Sequence, residues 1–97
     1  MSSVLADLGR IRDAYRFLTP QQRSESPYKE LIERYNLASK LLDPAQYRVY
    51  DLYYIHCLSQ ESVAAIVNCS EKYVWKTCVA IKQAFEYLMD EEPGGGA

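Results

Sequence analysis

Between Ser59 and Ser70 the chain has room for one short helix and a tight turn, and for little else. A serine hydroxyl readily accepts a hydrogen bond from the first free N–H groups of a helix, so each of the two marks a helix start. The stretch after Ser59, QESVAAIVN, is short and carries Asn68 at its end; asparagine is among the residues that best tolerate the left-handed backbone needed to leave a helix sharply. The stretch after Ser70, EKYVWKTCVAIKQAFEYLMD, has the spacing of a long helix. Two helices that cross steeply through three or four residues also need a small residue where they touch, and Ala64, with Ala65 beside it, supplies one. Val63, Val67, Cys69, Val74, Cys78 and Ile81 form the expected apolar underside.

The rest of the chain also reads as helix, because its apolar residues recur at intervals of three and four and never alternate for long. Val4, Leu8, Ile11, Tyr15 and Leu18 make a stripe on a first helix, with Arg10, Asp13 and Arg16 turned away from it; Thr19 and Pro20 are expected to end it. QQRSES is expected to be a polar linker. Ser26 as cap and Pro27 in the first turn open a second helix that reaches Leu42, with Tyr28, Leu31, Ile32, Tyr35, Ala38 and Leu42 on one side. Asp43 and Pro44 open a third, PAQYRVYDLYYIHCL, with Val49, Leu52, Tyr53 and Ile55 as core contacts. The expected fold is therefore all-α, with about five helices. An N-terminal helical hairpin over 1–42 packs on a helix-turn-helix over 43–90, and a tail over 91–97 is disordered.

Ninety-seven residues build one hydrophobic core and not two. With 48% hydrophobic and 25% charged residues, the chain sits with ordinary globular proteins rather than disordered ones. No apolar run approaches the roughly 20 residues that cross a bilayer, and MSSVLADLGRIRD lacks the core of a signal peptide, so a cytoplasmic location away from membranes is expected. Cys57, Cys69 and Cys78 form no C-x-x-C pair and are expected to be buried, reduced thiols. There is no Gly-rich phosphate loop, His56 is the only histidine, and Asp51 and Glu61 lack a pocket to tune them into an acid and base pair. No enzyme, cofactor or metal is expected.

Attention thus turns to the surface of the last helix. With Val74, Cys78, Ile81, Phe85 and Leu88 inward, helical spacing turns Glu71, Lys72, Trp75 and Lys76 outward at its start. Ser70 fixes that start by accepting from the N–H of Lys72 or Tyr73. Lys72 and Lys76 lie one turn apart, which suits phosphates or base edges along a groove as well as plain solvation. Glu71 either accepts from a cytosine amino group or complements the helix N-terminus by charge. Trp75 either packs on the third helix, stacks on a partner, or touches a thymine methyl. The nine tyrosines, among them Tyr47, Tyr50, Tyr53 and Tyr54, suit a core with phenolic tips in water or a protein interface. Charge divides unevenly: residues 1–42 hold seven Lys/Arg against five Asp/Glu, and residues 43–97 hold four against eight. Arg10, Arg12, Arg16 and Arg23 on the basic half are candidates for an auxiliary basic surface that grips DNA backbone or meets acids on another protein.

From Leu42 to Leu88 the sequence resembles region 4 of bacterial sigma factors and the small sigma-related regulators of phage and prophage late genes, the ArpU/RinA type. The residues that carry the resemblance are LDP, LYYIHCLS, SVA at 62–64, VNCS at 67–70, Val74, and Cys78, Ile81 and Phe85 in register. The chain departs from that pattern at Ser62, where the family has glutamate, at Asn68, where it has glycine, and at Val79 and Ala80, where basic residues are frequent. The resemblance implies a transcriptional regulator that binds promoter double-stranded DNA. Base and phosphate contacts would fall on Glu71, Lys72, Trp75 and Lys76, backbone contacts on Ser59 and Gln60, and RNA polymerase would be a partner. A different class of function uses the same scaffold as a phage-encoded interaction module or inhibitor of a host DNA- or RNA-processing protein. Trp75 and the acidic C-terminal half motivate it. Homodimerisation through the first helix is a further expectation.

Overall fold

The computed structural model describes residues 4–90, and every regular element in that span is a helix. In order these are α1 (Val4–Phe17), α2 (Pro20–Glu25), α3 (Lys29–Ser39), α4 (Pro44–Tyr50), which runs on into a π turn (Asp51–Ile55), α5 (Gln60–Val67) and α6 (Glu71–Asp90). The expected tail at 91–97 lies outside the described residues.

The polar linker is the first correction, since Pro20–Glu25 is helical. Thr19 does not only end α1. Its Oγ1 accepts from the Gln22 N–H at 3.1 Å while its own N–H donates to Gln22 Oε1 at 2.9 Å, a reciprocal cap with Pro20 at the first helical position. None of the residues of α2 is buried, so no apolar period announces it. Ser26 Oγ accepts from the Tyr28 N–H at 3.0 Å, and α3 begins two residues later than Pro27. It ends at Ser39, which leaves the buried Leu42 in the turn beyond. Asp43 and Gln46 repeat the reciprocal cap at α4, with Pro44 behind the cap as expected.

A second correction concerns α4. Its continuation is wound one residue wider, with the His56 N–H donating to the Asp51 carbonyl at 2.9 Å, five residues back. The extra residue turns the inward face by one position. Tyr50 and Tyr54 are buried, whereas the expected core contacts Leu52, Tyr53 and Ile55 are only half-buried and pack on the core's edge.

Those tyrosines build the centre of the molecule. The rings of Tyr35 and Tyr50 meet Phe85 edge to face, with centroids 5.0 and 5.5 Å away, and Tyr54 lies 5.7 Å from Tyr50. Such pairs add about 1 kcal/mol each beyond area burial. The phenols find partners at the edge: Tyr35 OH donates to Asp7 Oδ2 and Tyr50 OH to Asn36 Oδ1, both at 2.9 Å. Val4, Leu8, Ile11 and Ala14 of α1 and Ile32 of α3 join Val63, Val74, Ile81 and Phe85 in the same cluster. One core therefore runs through the N-terminal helices and the helix-turn-helix alike. α1 packs chiefly on the π turn and α6, and only slightly on α3.

Candidate nucleic-acid interface

The turn between α5 and α6 follows the chemistry of its residues. Ser59 Oγ accepts from the Ser62 N–H at 3.1 Å and starts α5. Asn68 then adopts φ 58°, ψ 47°, and the Cys69 N–H donates back to the Ala64 carbonyl at 2.9 Å, so α5 ends in a left-handed cap. Ser70 Oγ accepts from the Tyr73 N–H at 3.1 Å and opens α6. Val63 and Ala64 are buried where the two helices touch, and Val74, Ile81 and Phe85 are buried below. Cys69, expected on the underside, is exposed beside the turn.

Glu71, Lys72, Trp75 and Lys76 are all exposed on the first turns of α6, which brings the expected base-reading residues onto one helix surface. Glu71 sits where its charge complements the helix N-terminus. Trp75 remains 56% exposed although it leans over a shallow hollow shared with Leu5, Tyr53, Gln60, Val79 and Lys82. Gln60 is half-buried in that hollow, and Ser59 uses its hydroxyl in capping α5, so neither stands clear of the fold. On the opposite flank, Tyr73 and Arg48 line an open cleft of about 410 Å³ with Ala45, Ile66 and Cys69. Sequence spacing missed both residues because the cleft depends on where α4 crosses α6. The nearest signal is Tyr73 lying one helical turn before Lys76 and Thr77.

The four arginines do not make one basic surface. Arg12 and Arg23 are half-buried. Arg12 donates through one guanidinium nitrogen to the Tyr53 carbonyl at 2.7 Å and the Leu58 carbonyl at 3.0 Å, and lies 4.0 Å over the Tyr53 ring. Arg23 donates to the carbonyls of Leu18 and Tyr15 and lies 4.5 Å over the Tyr15 ring, closing the end of α1. Arg10 pairs with Asp7 at 3.1 Å, and Arg16 is exposed beside Phe17. The expectation of an arginine grip is thus corrected for Arg12 and Arg23, whose donors serve the protein's own backbone.

Burial pushes the Cys78 thiol up to about 11 and raises that of Cys57 as well, with Arg12 opposing part of the latter rise. Both thiols stay protonated at neutral pH and are poor nucleophiles. No group of three or more His, Cys, Asp and Glu side chains among the described residues is placed to hold a metal ion. Within the same span, no helix is long and apolar enough to cross a membrane. No protein-family model, curated protein or solved structure matches the chain.

Proposed function

We propose that the protein is a sequence-specific DNA-binding transcriptional regulator of the phage or prophage kind, which reads promoter DNA with the start of α6 and positions RNA polymerase there. The observation that carries this reading is the pair Lys72 and Lys76, exposed one turn apart directly after the Asn68–Ser70 turn. A helix that begins at a fixed point with two cations on its outer face fits the major groove, where the lysines meet phosphates or guanine edges. The test is selection from random double-stranded DNA across a salt series. The parent should enrich a motif, and Lys72→Ala with Lys76→Ala should lower the salt slope by about 2 and lose the motif. A double variant that binds every DNA as the parent does would refute the mechanism.

A second reading rests on Trp75 and Leu5, which are 56% and 64% exposed around one apolar hollow. An exposed tryptophan there suits a protein contact better than a base contact. In that case α6 is the docking helix of an interaction module, and its target is a host DNA- or RNA-processing protein. Absence of any DNA retention at low salt selects this reading over the first.

A further inference from the structure

α3 buries Ile32 and Tyr35 on one side and exposes two leucines on another: Leu37 at its end is 67% exposed, and Leu41 in the following turn is 72% exposed. Around Leu37 the helix surface forms a shallow hollow walled by Glu33, Asn36, Leu37 and Lys40. That spacing, first, fourth, fifth and eighth, is the one that receives a side-chain knob when two helices pack along their length. Glu33 and Lys40 are exposed, and neither carries an ion pair among the described residues.

The charges lie symmetrically about the hollow, and this selects its occupant. Residues 33 and 40 are equally far from the midpoint between Asn36 and Leu37, with opposite charge at the two ends. A second α3 laid antiparallel brings each acid to a base, whereas a parallel one brings like to like. Self-complementarity of this kind belongs to an interface formed by the same patch on two subunits. We propose that the patch is the interface of a homodimer. Two α3 helices pack antiparallel about a two-fold axis at Asn36 and Leu37, each Leu37 seats in the partner's hollow, and each Glu33 meets the partner's Lys40. The stretch from Glu33 to Leu41 is short, about 12 Å along a helix, so the dimer is a weak one. Nothing in this proposal depends on what α6 binds, and its test contains no DNA.

The experiment is sedimentation of the whole chain from about 1 to about 500 μM, the range in which weak interfaces assemble. The apparent mass should rise from 11.2 kDa toward twice that value. Glu33→Lys alone and Lys40→Glu alone place like charges across the axis. Each should weaken association by about tenfold or more while leaving the circular dichroism unchanged. An equimolar mixture of the two single variants restores both ion pairs and should dimerise, as should the chain carrying both changes. A damaged fold cannot produce that rescue. A parent that stays monomeric throughout the range overturns the proposal, as does a mixture no more associated than its components. A dimer that survives both single reversals unchanged uses another face, such as α1, and overturns it equally.

Discussion

Two turns flank α5, and each holds a residue other than glycine at φ 58°: Cys57 before the helix and Asn68 after it. Asn68 needs little help. Its side chain tolerates the left-handed region, and its neighbours Ala64 and Ser70 close the turn from within a few residues. Cys57 has no such allowance, and the left-handed backbone costs an ordinary L residue about 1–2 kcal/mol. The offset arrives from α1. Arg12 binds the carbonyls of Tyr53 and Leu58 on either side of the turn, and the Cys57 thiol donates to the Arg12 carbonyl at 3.2 Å, across a separation of 45 residues. One turn is made by its own residues and the other is imposed by a distant helix.

That contrast is most directly broken at Arg12. Arg12→Ala leaves two part-buried carbonyls without a charged donor and should cost about 3 kcal/mol in urea unfolding, with the loss concentrated before α5. Next come the local devices: Asn68→Ala and Ser70→Ala should each cost about 1 kcal/mol by the same measurement. Cys57→Ala should cost only about 0.5 kcal/mol, because alanine suits the left-handed region no worse than cysteine and only weak thiol bonds are lost. An Asn68→Ala cost no larger than that of Cys57→Ala would erase the distinction between the two turns.

Alkaline pH sharpens the comparison further. Tyr50 and Tyr54 are held above their usual 10.0, and Cys57 and Cys78 above 9.0, chiefly by burial of the neutral form. Their contribution is whole below pH 9.0 and is lost as pH rises, because the unfolded chain ionises first. The melting temperature should be level through neutrality and fall above about pH 9. Tyr54→Phe should make the fall shallower, while Asn68→Gly should leave its slope unchanged.

The same division decides what could be read in the sequence. Asp43, Ser59, Ser70 and Asn68 act on residues within four positions of themselves, so their roles were legible, as was the inward stripe of Val74, Cys78, Ile81 and Phe85. α2 was not legible by period because it buries nothing, although Thr19, Pro20 and Gln22 spell its cap. The π turn left no local sign, and it moved the core from Leu52 and Tyr53 to Tyr50 and Tyr54. Arg12 and Arg23 looked like surface charge because only the folded chain shows the carbonyls they bind. Of the candidate interface, the exposure of Glu71, Lys72, Trp75 and Lys76 followed from helical spacing. The Tyr73–Arg48 cleft required the crossing of α4 over α6.

The π turn is also a matter of chain length. Between Asp51 and His56 the backbone spends one residue more per hydrogen bond than an α-helix would. Deleting any one residue from Asp51–Ile55 would let the segment rewind as plain α-helix and rotate everything after it by about 100° relative to α1. Arg12 would then face the wrong carbonyls. This stretch should accept changes of residue more readily than a change of count, and relatives of the protein should differ here by substitution and not by single-residue gaps.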